Sequence, residues 1–385
     1  MKFQAYNETS VRNLQLTQTA ENLLENGDLT PPQYEQVKTE FPVPFKQPNI
    51  FIRLGLLLFT SMCILFSILL IGFITGALDS SSSGWGILFL IFAVSLTAVN
   101  EYFIRERQWY RQGSDNALAY ASICCFVTGI SMLTKADSLS SLALLSFVSI
   151  SIATVRYGDP LLALAAFYAL LISFFSLIDD GQLPLILMSV AGAGLSVMIY
   201  FFAQMASKRD DLFYWSDCFV VLKWAALGVF YASINYYVVG TIFQKNYENA
   251  TPTSFNTLFA VLTAVVPLVY LAVGIKTKDR ILWIMGFLGI VASIMTYRYY
   301  HSIMPIEYAL TLAGLAFLVL AFVLIKYLKT PKNGFAYQPK RHRSNLIESL
   351  VVNQLLQNAA TSSTPEQHVK FGGGDFDGGG AEGDI

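Results

Sequence analysis

Charge is what this chain of 385 residues has least of, with Lys, Arg, Asp and Glu together making 13% of it. About a quarter is usual for a soluble domain. The charges that exist fall in the two tails and in short loops, which leaves a series of segments almost free of them. Each segment is roughly 17 to 25 residues long, enough to cross about 30 Å of hydrocarbon as a helix that closes its own backbone hydrogen bonds. So many in succession exclude an ordinary soluble core. Histidine is nearly absent, and three scattered copies build no metal site. The four cysteines, Cys63, Cys124, Cys125 and Cys218, lie inside or at the edge of apolar segments with no CxxC spacing. They read as small buried hydrophobes rather than ligands or disulfides. Walker loop, GxSxG, HExxH and glycine-rich dinucleotide motifs are also missing, so no enzyme class and no cofactor is read from the chain. A net charge of −1 gives no basis for a nucleic-acid partner.

What is present is a ladder. Ten apolar segments are expected at 54–77, 85–103, 117–133, 139–155, 160–178, 184–203, 218–243, 255–275, 281–299 and 306–327. The fold class is therefore an all-α, polytopic transmembrane helix bundle. Alternate loops carry Arg105, Arg107 and Arg111, then Arg156, then Lys208 and Arg209, then Lys276, Lys278 and Arg280. The other loops hold only Lys135, Lys245 and Arg298. Cationic loops resist translocation, which marks the first set as cytoplasmic. Ten spans then put both tails on that side, where Lys38, Lys46, Arg53, Lys340, Arg341 and Arg343 agree with them. Trp85, Trp109, Tyr110, Tyr214, Trp215, Tyr236, Tyr237, Tyr299, Tyr300 and Tyr327 lie near segment ends and read as headgroup anchors. The polar opening predicts no cleavable signal peptide.

The tails divide off on either side of the span region, 51–328. Residues 1–48 are expected to form a helical hairpin and a proline-bearing linker. Val11, Leu14, Ala20, Leu23 and Leu24 form the stripe of its first helix, and Gly27 the stop. Thr30, followed by Pro31 and Pro32, reads as the cap of a second helix faced by Tyr34, Val37 and Phe41. This opening, Glu25-Asn26-Gly27-Asp28-Leu29-Thr30-Pro31-Pro32-Gln33-Tyr34 leading to Phe41 and a first span, resembles that of a bacterial family of polytopic membrane proteins. The family is catalogued as domain of unknown function 2157, and the resemblance covers roughly residues 15–75. Gly27-Asp28-Leu29-Thr30 carries one inserted residue relative to the family's usual turn. The resemblance implies a cytosolic hairpin ahead of many spans in a bacterial inner membrane, and no activity. In the tail 329–385, residues 344–360 read as an amphipathic helix behind the basic Lys340-Arg341-His342-Arg343, a pattern suited to an anionic leaflet. The glycine- and Asp-rich end, 371–385, is expected to be disordered.

Function within the bilayer should show as polar or ionisable residues at depth, because each is costly there. The candidates are Lys223 in the seventh segment, with Glu101 and Asn100 near the end of the second as its possible partners. Asn235 lies further along the seventh, and Arg298, His301 and Glu307 flank the last turn. Pro267 is expected to kink the eighth segment. Ala191-Gly192-Ala193-Gly194 and Gly286-Phe287-Leu288-Gly289 are expected to pack helices closely. With no carboxylate pairs at depth and no paired broken helices, the sequence favours a non-enzymatic membrane component or scaffold, its tails open to a cytoplasmic protein partner. Secondary transport of a small solute or lipid-related molecule is the second expectation.

Overall fold

The structure, a computed structural model, describes residues 3–25, 27–45, 48–75, 82–135, 138–179, 185–240 and 253–300, with isolated positions from Tyr308 to Lys326. Two short helices, α1 (Glu8–Glu25) and α2 (Pro31–Glu40), open the chain. They are followed by α3 (Ile50–Ile74), α4 (Ser82–Arg107), α5 (Ser114–Thr134), α6 (Leu139–Tyr157), α7 (Pro160–Asp179) and α8 (Leu185–Ala206). A 3-10 turn over Asp210–Trp215 leads into α9 (Ser216–Ile234) and a single turn, α10 (Tyr236–Val238). Helices α11 (Thr253–Thr277) and α12 (Arg280–Tyr300) complete the described chain. Among the described residues nine helices are long and apolar enough to cross a membrane, and the chain is an all-α multi-pass membrane protein. The expected tenth span lies outside the described residues apart from those isolated positions, as do the amphipathic and glycine-rich parts of the tail.

The spans pack mainly as consecutive pairs, α4 with α5, α6 with α7, α8 with α9 and α11 with α12. Every one of these pairs turns at the same end of the bundle, the end that carries the exposed cations Arg105, Arg107, Lys208, Arg209, Lys276 and Lys278. This end is called the basic face below. Small residues set the closest approaches. A Cβ at Gly286 would lie 2.7 Å from Leu271 and one at Gly289 2.8 Å from the Pro267 ring, so both glycines seat α11 on α12. In the other small-residue stretch Gly192 is packed against Phe175 and Ser233 and Ala193 against the cluster of Leu227, Tyr231 and Tyr270, whereas Gly194 faces open space. Helix α3 touches the bundle through a narrow stripe, Ile64, Ile68 and Gly72. Leu57 and Thr60 also lie against Gly113 and Ser114, and most of the remaining apolar surface is exposed, as a lipid-facing helix requires.

The hairpin at the start of the chain forms as its residues dictate. Gly27 takes φ 77°, and behind it the Asp28 N–H reaches back to the Leu23 carbonyl at 2.8 Å. That is the turn by which a left-handed residue satisfies the last carbonyls of a helix. At the start of α2, Gln33 Oε1 accepts the Thr30 N–H at 2.9 Å, and Pro31 takes the first helical position. Val11, Leu14, Leu16 and Ala20 are buried on α1 and Val37 on α2, while Leu23, Leu24, Tyr34 and Phe41 are only half-buried.

Three expectations need correcting. The seventh segment is not one helix: it breaks at Asn235, where the backbone turns extended before α10 begins. Tyr110 and Tyr214 are not anchors at a headgroup boundary. Both are buried in a cluster with Tyr6, Val11, Leu14, Phe45, Ile104 and Tyr157, which welds the hairpin to the basic face. Of the cysteines, Cys125 and Cys218 are buried as expected, but Cys63 and Cys124 are exposed.

Candidate functional site

The described polar residues gather at the two ends of the bundle. At the basic face the turns begin their second helices with aspartates whose carboxylates hold the chain together. Asp159 Oδ1 accepts the N–H groups of Leu161 (2.7 Å) and Leu162 (3.2 Å), capping α7. Its Oδ2 accepts from Asn116 Nδ2 (2.7 Å) and the Tyr120 hydroxyl (3.1 Å) on α5. Asp115 Oδ1 accepts the N–H groups of Gln112 and Gly113 in its own turn, and Oδ2 accepts the Tyr6 hydroxyl at 3.2 Å. Asp279 caps α12 through the Ile281 N–H at 2.9 Å. Asp115 is 1% exposed and Asp159 6%, which such carboxylates tolerate because their oxygens are hydrogen-bonded.

Two arginines tie the turns to one another. Arg111 Nη1 meets Asp217 Oδ2 at 2.6 Å and its Nη2 donates to the Gly158 carbonyl at 2.9 Å, joining three of the four turns. Arg156 grips Glu101 with Nε on Oε1 (2.5 Å) and Nη2 on Oε2 (2.6 Å), a bidentate pair that the Tyr157 hydroxyl supports. The Nη1 of Arg156 donates to the Phe3 carbonyl, and its own carbonyl accepts from the Ala5 N–H and the Tyr214 hydroxyl, both at 2.9 Å. Gly158 follows at φ 62°, and a Cβ there would lie 2.7 Å from the Tyr214 ring, so this turn needs glycine twice over. Phe45 stacks on Tyr110 with centroids 4.7 Å apart. Burial first, then the Asp115 carboxylate, push the Tyr6 phenol well above its ordinary value. Burial also raises Tyr110, with Arg111 opposing it.

The opposite end holds a second network. Asn235 Oδ1 accepts from the N–H groups of Tyr237 (3.0 Å) and Val238 (3.3 Å), capping α10. Its Nδ2 donates to the Tyr231 hydroxyl (3.0 Å) and to Thr296 Oγ1 (3.1 Å). Thr263 Oγ1 accepts the Tyr236 N–H at 2.8 Å. Pro267 has no N–H to give to the Thr263 carbonyl one turn back, and Ser293 Oγ supplies a donor there at 2.6 Å. Helix α11 therefore passes its proline with the freed acceptor satisfied from α12. A cavity of about 40 Å³ adjoins this network, lined by Tyr236, Ala260, Thr263, Thr296, Tyr297 and Tyr300.

Against the candidates from sequence, Glu101 and Asn235 sit in these two networks, but Lys223 does not pair with Glu101. Glu101 is taken by Arg156, with Arg105 at 3.9 Å along the same helix. Lys223, half-buried, makes no ion pair among the described residues, and the charge acting on it is that of Asp279. Asn100 is 1% exposed beside the Tyr157 hydroxyl, and neither of its amide atoms has a hydrogen-bond partner in the described structure. Arg298 lies near the end of α12, whereas His301 and Glu307 fall outside the described residues. Asp115, Asn116, Asp159, Asp217, Arg111, Arg156 and Tyr6 were missed. An aspartate at the start of an apolar run, above all Gly158-Asp159-Pro160, is a readable cap signal, but those loops were read only for their cations. Among the described residues no group of three His, Cys, Asp or Glu is placed to hold a metal. No family model, curated protein or solved structure matches the chain.

Proposed function

We propose that the protein is a non-enzymatic membrane component, a scaffold that presents its N-terminal hairpin on a platform of interhelical turns, three of them joined through Arg111. The observation that carries this reading is the attachment of the hairpin. Backbone bonds from Ala5 and to Phe3, the Tyr6–Asp115 bond and the Phe45–Tyr110 stack seat it on two separate turns. A segment held by so many independent contacts has a fixed orientation to offer a partner. In this reading the membrane is the bacterial inner membrane and both ends are cytoplasmic. The cationic turns support that orientation, and the capped hairpin supports membership in the family that the opening residues resemble. The test is complementation of a deletion strain with the full chain and with a version lacking residues 1–45. The scaffold reading expects envelope stress to be relieved by the full chain alone, with solute uptake unchanged. Uptake that follows the protein whether or not the hairpin is present overturns it. Topology is checked separately: an impermeant thiol reagent applied from outside should label Lys135→Cys and spare Lys208→Cys.

Secondary transport of a small solute or lipid-related molecule is the alternative, and one observation favours it. A broken helix beside a cavity, as at Asn235, is the arrangement by which transporters expose backbone to a solute. A void of about 40 Å³ holds a few waters at roughly 10–15 Å³ each, so a solute would require α9 and α10 to move apart. Loss of uptake in Asn235→Ala with normal expression supports this alternative over the scaffold.

A further inference from the structure

Lys223 is a cation on a face where the neighbouring positions are apolar. It lies seven residues into α9, about 10 Å from the basic end at 1.5 Å per residue. Phe219 and Leu227, one turn to either side, share its face. Phe219 packs with Ala203 and Ala206 of α8, and Leu227 with Tyr270 of α11 and Leu282 of α12. Lys223 is thus directed into the seam between α8 and the α11–α12 pair rather than out to the lipid chains. It has no ion pair there and no hydrogen bond from the described chain, and Asp279 acts on it from beyond ion-pair distance. Asp279 also acts on Tyr200, so the charge of the α11–α12 turn reaches both Lys223 and Tyr200. That turn adds Lys276, Lys278 and Arg280, all exposed, against the single carboxylate of Asp279.

An ammonium in such a seam requires an acceptor. Water reached by an extended lysine is one. Three further exposed cations on the adjoining α11–α12 turn make a phosphate the better match. We propose that Lys223, with Lys276, Lys278 and Arg280, binds the phosphate of an anionic phospholipid whose headgroup enters the seam between α8 and the α11–α12 turn.

The test uses the full chain, purified in mild detergent, exchanged into nanodiscs of phosphatidylcholine doped with phosphatidylglycerol, and re-extracted for lipid analysis. Wild type should retain phosphatidylglycerol selectively. A cation near the headgroups contributes on the order of 1 kcal/mol, so Lys223→Gln should lower that selectivity about fivefold. Lys276→Gln/Lys278→Gln, changed only at exposed positions, should lower it further, and Lys223→Arg should restore most of it. Equal retention by wild type and both variants overturns the proposal. So does an equal loss in Lys208→Gln/Arg209→Gln, which would mean that any basic-face cation serves. Excess inorganic phosphate provides the remaining arm: displacement of the lipid by low millimolar phosphate would assign the site to the free ion and overturn the lipid assignment.

Discussion

Asp159 uses both of its oxygens, one for the first turn of α7 and the other for Asn116 and Tyr120 across the interface. Asp159→Ala therefore removes a cap worth about 1 kcal/mol and takes the carboxylate acceptor from Asn116 and Tyr120, which keep only their mutual bond, at about 1–3 kcal/mol for the pair. A loss of about 2–4 kcal/mol is expected in reversible unfolding from detergent, and a loss under 1 kcal/mol would contradict the assigned bonds. The Glu101–Arg156 pair is an interaction between side chains 17% and 27% exposed, so partial screening tempers it. In a double-mutant cycle, Glu101→Gln and Arg156→Gln should couple by about 1–3 kcal/mol. The same cycle run on Glu101→Gln and Lys223→Gln should be additive within about 0.5 kcal/mol, since no contact joins them.

At the scale of helices, α11 and α12 share a division of labour. Gly289 makes room for the Pro267 ring, and Ser293 one turn on serves the carbonyl that the proline leaves free. Ser293→Ala alone should cost about 1–3 kcal/mol, as a buried carbonyl loses its donor. In a Pro267→Ala background the backbone N–H returns to that carbonyl, and the same serine change should cost at least about 1 kcal/mol less. Equal costs in both backgrounds would sink this account. The N-terminal hairpin offers a pH test whose sign is fixed by Tyr6. Its phenol is raised in the folded state, so its contribution is complete below the unfolded value of about 10 and disappears as pH climbs through the folded one. Protease cleavage between α2 and α3 should stay flat around neutrality and rise only above about pH 10. Tyr6→Phe should raise cleavage at every pH by the loss of about 1–2 kcal/mol and reduce that alkaline step to what Tyr110 of the same cluster contributes. A transition near neutral pH in the wild type would contradict the role given to this residue.

For the whole molecule, class and span positions were legible because a bilayer imposes a length and an apolar content that local sequence must meet. The hairpin was legible for a similar reason: Gly27, Thr30 and Pro31 act on their immediate neighbours. The two polar networks were not. Asp115 meets Tyr6 across 109 residues and Arg111 meets Asp217 across 106, and no periodicity announces partners that far apart. The break at Asn235 was hidden for the same cause, since the groups that stabilise it, Thr263 and Thr296, belong to α11 and α12. Reading the turns only as carriers of positive charge concealed their aspartates, which fix the helices those turns begin. Because each tight pair of spans turns on the basic face, the connections on the other side join units already complete in themselves. During synthesis each pair can form its own helix contacts as it emerges, and its turn is tied to the others once Arg111 meets Gly158 and Asp217 of the later pairs. The polypeptide should then survive interruption: fragments 1–179 and 180–385, made together, should reassemble through α7 and α9, whereas a cut inside any basic-face turn should not be tolerated.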